Sequence, residues 1–283
     1  MIVKPNALTA AVLAGLALAG TVAAQEPPPA AAAPTHAIDP AAMQALTRMG
    51  GYLRGLTSFS VEATDSTEDV LDSGQKIQLL KTVDLQVRKP DHLRADVVTD
   101  QKAREIFYDG KHFTLLTPGT GYYVTVAAPP TIGALLQEAE AKYGIEFPLV
   151  DLFLWGGEAD ATADVQEAMV VGTSKIGGQV ADHYAFRQTD IDWEIWIAQG
   201  AAPLPLRYVI TTKDEEGLPQ YAANLSWDTQ AKPADAVFTF TPGKDDHPIA
   251  IVDQAAAGDE SQDAKTPDDA AATPSTTTPA ATH

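Results

Sequence analysis

The 283-residue chain contains no cysteine. That absence excludes disulfides, thiolate metal sites and a cysteine nucleophile, and leaves no thiol to lipidate. A fold without disulfides must be held by its core alone. Basic residues are scarce as well: 19 Lys and Arg stand against 38 Asp and Glu, a formal net charge of −19. Nucleic acid is therefore not an expected partner, because binding it draws on Lys and Arg to neutralise phosphates. An anionic membrane surface would repel the chain for the same reason. Long apolar runs are missing too. The longest, Ala7 to Gly20, is about 14 residues, short of the roughly 20 that span a bilayer.

That run follows Lys4 and closes on Val22-Ala23-Ala24 before Gln25. Positive start, apolar stretch and small residues make the pattern of a cleavable export signal over residues 1–24. The expected product is a soluble periplasmic protein with no membrane span in its mature form. Residues 25–37 are rich in Pro and Ala, and 254–283 in Ala, Asp, Thr, Pro and Ser. Neither segment has the apolar content to offset its ordering entropy, so a disordered linker and a disordered acidic tail are expected. The body is then one domain over 38–253.

Asp39 and Pro40 supply an N-cap and a first helical residue, and Ala42, Leu46, Met49 and Leu53 share one face. A helix from Pro40 to Leu56 follows, weakened by Gly50-Gly51. Beyond it the period becomes two. Val83, Leu85 and Val87 alternate with Asp84, Gln86 and Arg88; Ile191, Trp193, Ile195 and Ile197 alternate with Asp192, Glu194, Trp196 and Ala198. Tyr221, Ala223, Leu225 and Trp227 do likewise. Such alternation marks antiparallel strands with one buried and one wet face. Asp109-Gly110 and Gly177-Gly178 read as tight hairpin turns, and Pro118–Gly121 and Asp214–Gly217 as longer ones. About ten strands are expected. The rhythm breaks at Pro130 to Trp155, where Ile132, Leu135, Leu136, Ala139, Leu149, Leu152, Phe153 and Trp155 suggest an apolar helical insert.

Catalytic constellations are absent from the sequence. No two of His92, His112, His183 and His247 have metal-ligand spacing, and His36 and His283 fall in the flanks. Asp182 adjoins His183, but neighbours on a strand face opposite ways. Asp190, Asp192 and Glu194 would share one strand face, either as a hard-cation site or as a solvated surface. Gly172 to Gly178 lacks the Lys-Ser/Thr ending of a phosphate loop, and there is no G-x-S-x-G. A non-enzymatic protein without cofactor or metal is expected.

Three stretches carry a family resemblance: Arg88-Lys89-Pro90-Asp91-His92-Leu93-Arg94, the run from Tyr108-Asp109-Gly110-Lys111 to Pro118, and Ala234-Asp235-Ala236-Val237-Phe238-Thr239-Phe240-Thr241-Pro242. In that order they resemble the periplasmic carriers of the lipoprotein-localisation (Lol) system. With Tyr143–Leu149 and Asp182–Gln188, the chain is similar to a family of predicted periplasmic proteins of unknown function that shares that fold. The resemblance implies an unclosed, strongly curved antiparallel β-barrel-like sheet covering N-terminal and inserted helices: a mainly β, α+β class. It also implies a hydrophobic ligand, a lipid, fatty acyl chain or lipoprotein, in the concave face. In the Lol carriers an arginine before the proline of the first stretch latches the lid. Lys89 stands there, preceded by Arg88, and a lysine offers a point charge in place of a rigid fork.

Phe113, Tyr123, Trp193, Tyr208 and Trp227 are read as inward-facing. With Leu115, Leu135, Leu136, Phe153, Trp155 and Ile195 they form either a packed core or the lining of a ligand cavity. A lipid-binding protein, acting as a carrier between envelope layers, is the leading expectation. An envelope-stress sensor acting through an envelope protein partner is the alternative.

Overall fold

The computed structural model describes residues 37–155 and 163–252. The expected signal segment 1–24, the linker up to residue 36, residues 156–160 of the insert and the tail 254–283 lie outside the described residues. Helix α1 spans Pro40–Gly55, with Asp39 accepting from the amide of Ala41 at 2.8 Å and Pro40 opening the first turn. Its buried face is Ala42, Ala45, Leu46, Met49, Gly50 and Leu53. Six strands follow: β1 (Ser58–Val70), β2 (Lys76–Arg88), β3 (His92–Thr99), β4 (Ala103–Tyr108), β5 (His112–Thr117) and β6 (Tyr122–Ala127). The insert holds α2 (Ile132–Tyr143) and α3 (Val150–Trp155). Then come β7 (Glu167–Ile176), β8 (Gln179–Arg187), β9 (Ile191–Ala198), β10 (Pro205–Thr212), β11 (Gln220–Asp228), α4 (Asp235–Phe238) and β12 (His247–Pro248).

All twelve strands form one sheet in the order β12-β6-β5-β4-β3-β2-β1-β11-β10-β9-β8-β7. Pairing is antiparallel except for the parallel contact of β12 with β6. Strand β11 returns to pair with β1, joining two meanders in the middle of the sheet. Strands β7 and β12 stand at opposite ends, so the sheet curves without closing. This is the expected fold class, with twelve strands where about ten were expected. The hairpin turn at Gly177-Gly178 has φ of +55° and +85°, the left-handed pair that a two-residue turn needs.

Alternation decides which face is covered. Phe59, Val61 and Ala63 of β1, Val83, Leu85 and Val87 of β2, and Leu93 and Ala95 of β3 are buried on one side. Ile106, Tyr108, Phe113, Trp193, Ile195, Tyr208 and Leu225 continue that side across the sheet. They merge with the apolar faces of α1 and α2 and with Leu152 of α3 in one buried cluster. The concave face is thus filled by the helices.

The opposite face is capped at one corner by the C-terminal strap. Phe238 is fully buried, edge-on to His92 at 5.1 Å and beneath the Arg88 guanidinium. Phe240 packs on Phe107 at 5.2 Å and on Tyr123 at 4.8 Å. Tyr123 therefore does not face inward, as its sequence reading had it. It pairs with Leu116, two strands from Glu105, on the side that carries Phe107 and Thr114. An aromatic ring on that side is shielded by Phe240, which arrives from far along the chain.

Candidate ligand-binding cleft

The apolar stripe of the concave face is interrupted at one place. In β1 the stripe Phe59, Val61, Ala63 continues to Asp65; in β2 the stripe Val87, Leu85, Val83 continues to Lys81. The register sets Asp65 directly opposite Lys81. Asp65 is wholly buried, with its Oδ2 atom 3.1 Å from Lys81 Nζ and accepting from the Tyr221 hydroxyl at 2.8 Å. Its Oδ1 atom has no partner. The Tyr208 hydroxyl lies 3.4 Å from that of Tyr221 and donates to the carboxyl of Asp151 in α3. A polar chain therefore runs from β2 through β1, β11 and β10 to the inserted helix.

Burial dominates the charges of this chain. It raises the Asp65 carboxyl above its ordinary range, against the opposing pull of Lys81 and Tyr221. It raises Asp151 likewise, with the Tyr208 hydrogen bond partly offsetting it. Tyr221 and Tyr208 are both pushed well above the usual phenol range by burial and by the neighbouring carboxyls.

Two clefts open where the insert lies against this part of the sheet. The larger, about 460 Å³, is lined by Leu136 of α2, Ile145, Phe147, Leu149 and Val150 of the insert, and Ile210 of β10. Lys81, Tyr221 and Asp151 of the polar chain border it, with Thr67, Glu140 and Glu146. The smaller, about 180 Å³, has Val97, Ile106, Leu115 and Pro148 as its apolar wall and Lys81, Lys102, Arg104 and Glu146 among its polar residues. Lys81, Ile145, Glu146 and Phe147 border both.

The residues singled out in the sequence fall into three groups. Phe113, Leu135, Leu136, Trp193, Ile195 and Tyr208 are buried in the main core, and Leu115, Phe153, Trp155 and Trp227 pack half-buried against it. Trp155 stacks on Trp193 at 6.0 Å and meets Tyr208 edge-on at 5.0 Å; Phe113 meets Phe147 at 5.5 Å. Leu136 and Leu115 border the clefts, and Tyr123 lies on the other face. Asp65, Lys81, Asp151 and Tyr221 had not been singled out. The available signal was phase: Asp65 and Lys81 fall on the apolar parity of their strands.

Lys89 Nζ donates to the Leu53 carbonyl in the last turn of α1 at 2.7 Å. Burial, with Arg54 nearby, depresses its pKa. Arg88 instead pairs with Asp235 of α4 and so holds the C-terminal strap. The three stretches that carry the family resemblance thus meet at one corner of the sheet, where Gly110 also abuts Asp91.

On the opposite face the charged residues around a groove of about 660 Å³ are all acidic: Glu62, Asp84 and Asp96, which stand in register on adjacent strands. Burial raises Asp84, and Asp96 and Glu62 add to the effect. Asp192 is held by Arg187 at 2.8 and 2.9 Å, and Glu194 by His183 at 3.0 Å, with His183 stacked on Trp196. Among the described residues no group of three or more His, Cys, Asp or Glu side chains is arranged to hold a metal ion.

Fold, corner and clefts together define a curved-sheet protein with an apolar insert on its concave side. The chain belongs to the family Predicted periplasmic protein (DUF2092), whose pattern matches residues 42–252. The family description places it in the periplasm. Among the described residues no helix is long and apolar enough to cross a membrane. The fold is similar to that of LprF from Mycobacterium bovis, at 15% identity and a TM-score of 0.42 over 70% of this chain and 98% of that one. It is similar to the Mycobacterium tuberculosis lipoprotein LppX, at 14% identity and a TM-score of 0.37 over 69% and 98%. A LolA superfamily protein from Nitrosomonas europaea gives 12% identity and a TM-score of 0.35 over 70% and 97%. These likenesses concern the fold. No curated protein matches the chain in sequence.

Proposed function

We propose that this chain is a non-enzymatic periplasmic binding protein that holds a hydrophobic ligand, a lipid or acyl chain, between its helical insert and the concave side of its sheet. The observation that carries the reading is the cleft of about 460 Å³ walled by Leu136, Ile145, Phe147, Leu149, Val150 and Ile210. Small-molecule sites of about 300–1,000 Å³ are mostly apolar with a few placed polar groups, and this cleft has that make-up. Its wall is an insert packed on the sheet by side chains, so the space can widen without breaking a strand. The deep concave centre is not the site in this reading, because α1, α2 and α3 already fill it.

The test is native mass spectrometry of the protein purified gently from periplasm, with co-purifying lipids identified afterwards. A bound lipid or acylated peptide is the expected result. A clean unliganded mass that takes up no added fatty acid would overturn the reading and leave a protein-interaction role in its place.

A further inference from the structure

The two clefts differ in charge. Around the larger, Lys81 is outnumbered by Glu140, Glu146 and Asp151. Around the smaller, Lys81, Lys102 and Arg104 face Glu146 alone. In a chain with 38 acidic and 19 basic residues, three bases around one small apolar cleft run against the overall balance. The topology explains how they meet. Arg104, the second residue of β4, has the same parity as buried Ile106 and Tyr108, so it shares the concave side. It pairs with Val97 of β3, while Thr99 of β3 pairs with Lys81. Lys102 sits in the turn between β3 and β4.

These bases are not equally committed. Lys81 is neutralised by Asp65 at 3.1 Å. Lys102 and Arg104 are exposed, and neither has an ion-pair partner among the described residues. They hold positive charge beside Leu115, Ile106 and Phe147, one step from the larger apolar cleft that shares Phe147 and Ile145. An apolar space next to unpaired cations matches one kind of molecule, with a greasy chain and an acidic end.

Resting on the reading of these clefts as a ligand site, we propose that the ligand is an anionic amphiphile. Its acyl chain lies in the larger cleft along Leu136, Phe147 and Ile210, and its carboxylate or phosphate head meets Lys102 and Arg104 at the smaller one. Arg104 supplies a planar fork of donors suited to either oxyanion, and Lys102 a mobile point charge. Glu140 and Asp151, which border only the larger cleft, make the reverse orientation unfavourable, because an anionic head there would face like charges.

The experiment compares three sixteen-carbon ligands on the full mature chain by calorimetric titration: palmitate, hexadecyl phosphate and neutral hexadecanol. The second protein is a Lys102→Gln/Arg104→Gln variant, in which both changed residues are exposed, so folding is not at stake. At least one anion should bind about tenfold more tightly than the alcohol, from two rim contacts of modest worth each. That advantage should vanish in the variant while hexadecanol affinity stays constant. The tighter of the two anions then identifies the head group as carboxylate or phosphate. Equal binding of all three ligands, or an anion preference that survives in the variant, would overturn the head-group assignment and leave the apolar cleft standing. No binding of any of them would overturn both.

Discussion

Asp151 is the residue where the chemistry of the insert meets that of the sheet. Its carboxyl is raised above the ordinary 3.8, chiefly by burial. Between 3.8 and that raised value the folded protein binds more protons than the unfolded one, so stability falls as pH rises through the window and stays lower above it. Asp151→Asn keeps a hydrogen-bond acceptor for Tyr208 and removes the half-buried charge. We expect the variant to be more stable at pH 7 by about 1 kcal/mol, roughly 2–4 °C in Tm, with the gap closing toward pH 4. Thermal melts of both proteins across that range would show it. Parallel curves with a constant offset would mean that Asp151 is not charged at a cost. Residues of this kind were only partly legible. Trp193, Ile195 and Tyr208 announce their face, because their strands alternate cleanly between apolar and polar. Asp65 lies in the polar run T-D-S-T-E-D, and only the register with β2 shows that it faces Lys81 in the interior. Tyr123 is the converse: a tyrosine reads as inward until Phe240 of a distant segment is found covering the other side.

At the scale of elements, the two glycines of α1 have different fates. A Cβ on Gly50 would stand 2.6 Å from the Trp155 carbonyl oxygen, whereas one on Gly51 meets only the Arg54 side chain at 3.8 Å. The glycine that lowers helix propensity at position 50 is therefore what lets α1 cross close to α3. Gly50→Ala should destabilise by about 1–3 kcal/mol through overpacking, despite a propensity gain of about 1 kcal/mol. Gly51→Ala has that gain without the clash and should be neutral or stabilising. Chemical denaturation of the two single variants separates them; equal effects would show that the α1–α3 crossing does not depend on Gly50. Helix α1 and the helical insert were legible from apolar spacing and from the Asp39-Pro40 start, and two hairpins from Asp109-Gly110 and Gly177-Gly178, whereas the short α4 was not. The crossing was not, since a glycine in a helix reads as weakness until its neighbour is known. Strand β12 was equally hidden: two residues, His247 and Pro248, carry no periodicity.

In the whole molecule, the stretches that carry the resemblance and the place that holds the clefts are separate. Arg88, His92, Phe238 and Phe240 gather at one corner and fasten the C-terminal strap, while Lys89 fastens the end of α1. Those contacts tie the C-terminal strap and the end of α1 to the sheet, away from the clefts. The insert contributes Ile145, Glu146 and Phe147 to the walls of both clefts. This division predicts where a ligand will be felt. At a free palmitate concentration 100 times its Kd, stabilisation should reach about 2.7 kcal/mol, raising Tm by several degrees. Hydrogen exchange should slow in α2, the 144–149 segment and α3, which wall the cleft, since local opening of those elements is the motion that ligand occupancy suppresses. Amides of the corner, in 88–94 and 234–242, should exchange at unchanged rates except through full unfolding. Protection centred on β7 to β9 or on the strap, with the insert unaffected, would place the ligand elsewhere on the sheet and exclude the cleft.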